Sequence, residues 1–235
     1  MNIAIIPARG GSKRILKKNV KNFFGVPIIN YSIKAAVNSK LFTKIICSTD
    51  DINISNIAKK NGAECPFLRP KKISDDHTTT VEVIRHSIRF LEEENIKFEN
   101  VCCIYPAAPF IKIDNLKKGL KKLKNTKSKF ILSAAKNPTN TYNTFTLNKK
   151  KQIELIFNSK ILKERYQDQK NTYYDAGQFY WANKNTWKKY SKVFMNHSSI
   201  IEIPFHEAID INTHYDWNLA KKLYSYFNEE NVKNK

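Results

Sequence analysis

The chemistry-bearing residues of this chain gather first in the stretch IPARGGSKR, Ile6 to Arg14, with Lys17, Lys18 and Asn19 just behind it. Five cations, Arg9, Lys13, Arg14, Lys17 and Lys18, follow an apolar strand within one short loop, and Ser12 adds a hydroxyl donor. Cations suit phosphate oxygens, and Gly10 and Gly11 are expected to let the backbone take positive φ and approach a ligand closely. The pattern therefore points to a held polyphosphate. It is neither the G-x-x-x-x-G-K-[ST] of a P-loop nor the G-x-G-x-x-G of a dinucleotide fold, so only the general physics of anion binding carries over. The competing reading is an ordinary exposed turn in a lysine-rich chain.

Strands alternating with helical patterns must position that loop. Ile3–Ile6 predicts a first strand, residues 28–39 a helix, and Lys44–Ser48 a second strand ending in the acidic turn Thr49-Asp50-Asp51. A helix follows to about Asn61 and stops at Gly62. Val81, Ile84, Ile88 and Leu91 recur at helical spacing after Thr78–Thr80. Val101–Tyr105 is a near-continuous apolar strand closed by Pro106, and residues 129–135 repeat the pattern. This rhythm implies an α/β, Rossmann-like, mainly parallel sheet with helices on both faces, whose ligands sit outside the carboxyl ends of the strands. Residues 136–174 break the rhythm with Pro138, Asn140, Tyr142 and the charged string Lys163-Glu164-Arg165, and read as an excursion from one domain spanning 1–227. Gln178–Trp181 and Ile200–Ile203 read as further strands, and the last helix shows Trp217, Ala220, Tyr224 and Phe227 on one face. Residues 228–235 look frayed.

Composition bounds the partners. The chain has 235 residues, 41% of them hydrophobic, enough for a real core. Its 41 basic against 21 acidic residues give a net charge of +20, which taken alone suggests nucleic acid. The lysines are spread over nearly every segment, however, and a cluster such as Lys117, Lys118, Lys121, Lys122 and Lys124 reads as the solvated face of a helix, so no nucleic-acid partner is expected. Cys47, Cys65, Cys102 and Cys103 lack C-x-x-C spacing and read as buried thiols, and the five histidines are scattered, so no zinc site is expected. With no secretory leader and no apolar run of membrane-spanning length, the expected location is cytoplasmic, away from membranes.

Taken together, IPARGGSKR-x-x-KKN, STDD at Ser48–Asp51, FLRP at Phe67–Pro70 followed by SDDHTTT, and DIN-x-x-x-DW near the end resemble the cytidylyltransferases that activate nine-carbon acidic sugars. RYQDQ at Arg165–Gln169 and YYDAGQFYW at Tyr173–Trp181 look most like the branch acting on pseudaminic acid. The resemblance runs from Met1 to about Phe227. It implies a fold of the nucleotide-diphospho-sugar transferase type, a homodimer with the excursion as its arm, and a Mg²⁺ requirement. The implied reaction is attack of the sugar's anomeric hydroxyl on the α-phosphorus of CTP, releasing pyrophosphate. It assigns Arg9, Gly10, Gly11, Ser12, Lys13 and Lys18 to the triphosphate, Asn19 to the nucleotide, and Arg69 with Ser74 to the neighbourhood of the cytosine. Tyr105, Asp175, Gln178 and Tyr180 would line the sugar pocket, with Arg165 meeting the sugar carboxylate either in its own chain or across a dimer interface. Lys18, Arg9 and Asp210 are the implied catalytic set.

The chain also departs from the resembled pattern. Asp210 and Asn212 stand where the family carries D-x-D for the metal, and an amide oxygen can ligate Mg²⁺ but adds no charge. Asp216 is read as part of a helix capping box with Thr213 instead of as a replacement ligand. Ala107, Leu16, Tyr166 and Ala182 differ from the family's usual Thr, Pro, Ser and Gly, which keeps legionaminic and N-acetylneuraminic acids open as substrates. Asn212 also keeps open a catalytically weak nucleotide-binding relative.

Overall fold

Four consecutive apolar residues, Ile3 to Ile6, are fully buried, the mark of a strand covered on both faces. In the computed structural model, which describes residues 1–157, 165 and 168–233, with side chains as far as 227, they form the middle of β1 (Asn2–Pro7). The chain continues through a small hairpin, β2 (Asn22–Phe23) and β3 (Val26–Pro27), then α1 (Ile29–Ser39), β4 (Lys44–Ser48), α2 (Ile52–Lys60), α3 (Thr80–Glu93), β5 (Asn100–Ile104), α4 (Ile113–Asn125) and β6 (Phe130–Lys136). After a ribbon of β7 (Phe145–Leu147) and β8 (Ile153–Leu155) come β9 (Tyr173–Asn183), α5 (Lys184–Lys189), β10 (Ser199–Glu202) and α6 (His214–Lys233).

The main sheet has the order β10-β6-β9-β5-β1-β4. β1 pairs in parallel with β4 and β5, and β6 in parallel with β10, while β9 lies antiparallel between β5 and β6. The sheet is thus mainly parallel, as the sequence predicts, with one antiparallel strand near its centre. Because β9 is covered on both faces, both Tyr180 and Trp181 are buried, on opposite sides. The helices α1, α2 and α4 cover one face around Ile6, Ile33, Leu120 and Trp181, and α3 with α5 covers the other around Ile5, Ile84, Leu91 and Trp187.

Local signals start the helices where the sequence puts them. The Asp51 carboxylate accepts from the Asn53 and Ile54 amides at the start of α2, and Thr79 with Glu82 forms a reciprocal capping box on α3. Gly62, at φ +96°, follows α2 as expected of a stop. A third apolar cluster, Ile15, Phe23, Ile28, Ile211, Trp217 and Ala220, packs α6 against the opening loop and its hairpin. It draws the two ends of the chain to one side of the sheet. Helix α6 continues to Lys233, past the Asn228 at which the sequence suggests fraying.

The excursion after β6 carries the β7–β8 ribbon, paired apart from the main sheet, with Phe145, Leu147, Ile153 and Leu155 exposed. Lys163, Glu164 and Tyr166, noted in the sequence, lie outside the described residues. All four cysteines are free and buried. Among the described residues, no helix is long and apolar enough to cross a membrane.

Candidate functional site

A cleft of about 400 Å³ opens at the carboxyl ends of β1 and β5, where a parallel sheet presents its ligand site. Its walls come from four places: the basic loop after β1 (Arg9, Ser12, Lys13, Arg14, Lys18, Asn19), the segment before α3 (Arg69, Ser74, Asp76, Thr78), the turn after β5 (Tyr105, Pro106, Ala107), and Gly177 with Asp210 and Asn212. The sequence-assigned Arg9, Ser12, Lys13, Lys18, Asn19, Arg69, Ser74, Tyr105, Asp210 and Asn212 therefore share one cavity.

The loop is held from behind. The Asn19 side-chain amide donates to the Arg9 carbonyl at 2.9 Å, and the Gly10 amide donates to Asp50 Oδ1 at 2.9 Å. Neither Gly10 nor Gly11 takes positive φ, which corrects the conformational role expected of them; Lys17 instead turns the loop at φ +50°. Gly10 is needed for close approach, since a Cβ there would lie 2.8 Å from Asp51 Oδ2. Gly11 has open space around that position.

Lys18 reaches across the cleft floor and donates to the Ile211 carbonyl at 2.5 Å. Burial lowers its pKa, and the negative charge of nearby Asp210 opposes that shift. Arg9 and Lys13 both meet Asp76, at 2.6 and 2.5 Å.

Arg69 is buried: only 5% of it is exposed, and its amide donates to the Thr49 carbonyl at 2.7 Å. Its guanidinium stands 3.8 Å from Asp50, while Nε and Nη2 have no hydrogen-bond partner among the described residues. Burial lowers its pKa, with Asp50 opposing, yet a guanidinium keeps its charge. Unpaired buried donors beside a cavity are costly in the empty protein and become useful when a ligand supplies acceptors. Ser74 closes a local turn, donating to the Pro70 carbonyl at 3.0 Å.

The sugar-side assignments divide. Tyr105 lines the cleft, its hydroxyl 3.1 Å from Thr80 Oγ1. Tyr180 does not line it; only 2% exposed, it stands behind Tyr105 in an edge-to-face contact and donates its hydroxyl to Asp175. Asp175 lies behind the wall too, its other oxygen accepting from the Gly177 amide at 3.0 Å; burial raises its pKa, with the Tyr180 hydrogen bond opposing. Gln178 is corrected to a framework role. Its side chain is buried, with Nε2 donating to the Glu207 carbonyl at 2.8 Å, at the point where the pairing of β9 with β6 shifts register and regular alternation fails. Arg165 is exposed in the excursion, pairs with Asp168 at 2.7 Å, and does not reach this chain's cleft.

Asp210 and Asn212 face the cleft beside Lys18, with the Asn212 amide donating to Asp210 Oδ2 at 2.5 Å. They are the side chains that could hold a divalent cation. Among the described residues no three His, Cys, Asp or Glu gather as a metal cluster, so such an ion would depend on phosphate oxygens and water for its remaining ligands, as Mg²⁺ commonly does. The donor set fits it on those terms. Asp216 behaves as a capping residue: one oxygen accepts from the Asn212 amide, the Thr213 amide and the Thr213 hydroxyl, and the Thr213 hydroxyl accepts from the Asp216 amide at 3.3 Å.

Residue roles that the sequence reading missed are Asp50, Asp76 and Gly177. Asp50 stands inside STDD as part of an acidic turn, and Asp76 inside SDDHTTT, where the sequence offers it with Asp75 as a surface partner for Arg69; the structure instead pairs Arg69 with Asp50 and Asp76 with Arg9 and Lys13. Gly177 takes φ +60° and would bring a Cβ to 3.1 Å from Asp210.

A mainly parallel sheet with a basic loop and an acidic segment converging at its carboxyl edge defines a nucleotide-handling α/β protein. The chain belongs to the cytidylyltransferase family, whose sequence model, described as Cytidylyltransferase, matches residues 3–232. It is 39% identical over 228 residues to the pseudaminic acid cytidylyltransferase of Campylobacter jejuni subsp. jejuni serotype O:2, covering 97% of this chain and 98% of that protein. It is 27% identical to the CMP-N,N'-diacetyllegionaminic acid synthase of Legionella pneumophila, covering 94% and 95%. The fold is similar to that of a CMP:2-keto-3-deoxy-manno-octonic acid synthetase solved with CTP, with a TM-score of 0.70 at 13% identity over 96% of this chain and 98% of the other.

Proposed function

We propose that this protein joins CTP to pseudaminic acid, giving CMP-pseudaminic acid and pyrophosphate. The observation that carries the reading is the meeting, in one cleft, of the Arg9–Lys18 cations with Asp210 from the far end of the chain. In this reading the triphosphate lies along Arg9, Ser12, Lys13 and Lys18, and the unpaired Arg69 N–H groups donate to the acceptor edge of the cytosine or its neighbour. The anomeric hydroxyl attacks the α-phosphorus and pyrophosphate leaves. Such chemistry needs positioning and charge neutralisation above all, and cations fixed before the ligand arrives supply both. Asp210 and Asn212 would hold Mg²⁺, which when bound neutralises charge on the phosphates. Full-length kinship at 39% to a pseudaminic acid enzyme supports the choice of sugar.

The exposed apolar ribbon supports a homodimer joined through β7–β8, where Arg165 of one chain would serve the sugar carboxylate in its partner's cleft. Free buried thiols suit the reducing cytoplasm, where such an enzyme would draw on CTP. The test of the nucleotide is pyrophosphate release from CTP, ATP, GTP and UTP, each offered with pseudaminic acid and Mg²⁺. Release from CTP alone supports the reading, and equal release from ATP or GTP contradicts it. Light scattering of Phe145→Asp, expected to be monomeric, tests the ribbon.

A further inference from the structure

Asp76 holds a position that the assigned reaction does not explain. One carboxylate oxygen meets Arg9 Nη2 at 2.6 Å and the other meets Lys13 Nζ at 2.5 Å, so a single anion spans two cations of the phosphate loop from across the cleft. The neighbouring residue has a different task. Asp75 Oδ1 accepts from the His77 amide, the Thr78 amide and the Thr78 hydroxyl, which folds the segment onto itself. Ser74 ties the segment back to Pro70, and the Thr79–Glu82 capping box fixes where α3 begins. With both flanks anchored, Asp76 is presented to the cleft, its carboxylate arranged as two phosphate oxygens would be.

We propose that Asp76 is a built-in stand-in for a phosphate, which an incoming nucleotide must displace, and that it thereby sets how much anionic charge a ligand needs to enter the loop. The inference rests on reading the loop as a triphosphate site and deepens it. Ion pairs this exposed are weak and screened by salt, so a polyphosphate displaces the carboxylate readily. A ligand with little charge competes poorly for the same cations. The carboxylate holds Arg9 and Lys13 on one anion and offsets their mutual repulsion until a ligand arrives, at the cost of affinity for that ligand.

The experiment compares the full-length protein with Asp76→Asn and Asp76→Ala by titration calorimetry. The probes are inorganic pyrophosphate, tripolyphosphate and cytidine, in EDTA so that no metal contributes. Both variants are expected to bind the two polyphosphates about three- to tenfold more tightly, the scale of two exposed ion pairs, and to bind cytidine as the parent does. The KM for CTP should fall by a similar factor. Unchanged or weaker polyphosphate binding in both variants overturns the proposal while leaving the loop's assignment standing. Failure of the parent and both variants to bind either polyphosphate overturns the assignment and the proposal together.

Discussion

The Lys18 ammonium lies 2.5 Å from the Ile211 carbonyl oxygen, a hydrogen bond between residues 193 positions apart. It ties the basic loop that opens the chain to the Asp210–Asn212 segment that precedes its last helix. Lys18 is held by backbone on one side and influenced by Asp210 on the other, so its charge is aimed before any ligand arrives.

Replacing Lys18 with Met should lower kcat/KM for CTP by about 10²- to 10³-fold, the usual scale for one preorganised charge. The thermal midpoint should hold or rise, since a partly buried cation is removed. The pH profile gives a second check. Burial lowers the lysine pKa, so the free enzyme loses this proton below the usual lysine range and kcat/KM falls early on the alkaline side. Bound phosphates raise that pKa, so kcat should fall at higher pH than kcat/KM. The early limb should vanish in Lys18→Met.

Asn212→Asp places a second carboxylate beside Asp210, where the Asn212 amide now donates at 2.5 Å. Without metal the two carboxylates would repel, and a Mg²⁺ ion held there, as proposed, would be shared between them. The expected result is a several-fold lower half-saturating Mg²⁺ concentration in a turnover titration. An unchanged Mg²⁺ requirement and rate would remove residue 212 from the metal site.

Gly177→Ala should harm activity more than folding. The residue takes φ +60°, a conformation costing a residue with a Cβ about 1 kcal/mol, and the new methyl would press on Asp210 at 3.1 Å. Turnover is expected to drop at least tenfold, with a loss of about 1–2 kcal/mol in denaturant unfolding.

Gln178→Ala should do the reverse. Its side chain holds the Glu207 carbonyl inside the framework, so the expected cost is about 1–3 kcal/mol of stability, with KM for the sugar acid little changed. Urea unfolding and sugar titration of the same sample separate this role from substrate binding.

Much of this architecture is legible in the residues themselves. The four-residue apolar run of β1, the basic loop after it and the helical spacing in α3 each depend on local pattern, and each lies where that pattern puts it. The antiparallel direction of β9 is not local: a buried apolar run reads alike in either direction until its neighbours β5 and β6 are known. The same limit affected the sugar side. Alternation predicts that Gln178 and Tyr180 share a face, but not that Tyr105 stands between Tyr180 and the cleft or that Glu207 claims Gln178. Charge gave no warning that Arg69 is buried beside Asp50, or that Asp76, and not its neighbour Asp75, bridges Arg9 and Lys13.

The central claim is tested most directly by incubating the protein with CTP and Mg²⁺, offering pseudaminic, legionaminic and N-acetylneuraminic acids separately, and measuring pyrophosphate together with the CMP-sugar. The account expects equal amounts of pyrophosphate and CMP-pseudaminic acid, with clear preference for that acid. Preference for either other acid would contradict the assigned sugar while keeping the reaction, and silence with all three would contradict the assignment of this cleft as a working cytidylyltransferase site.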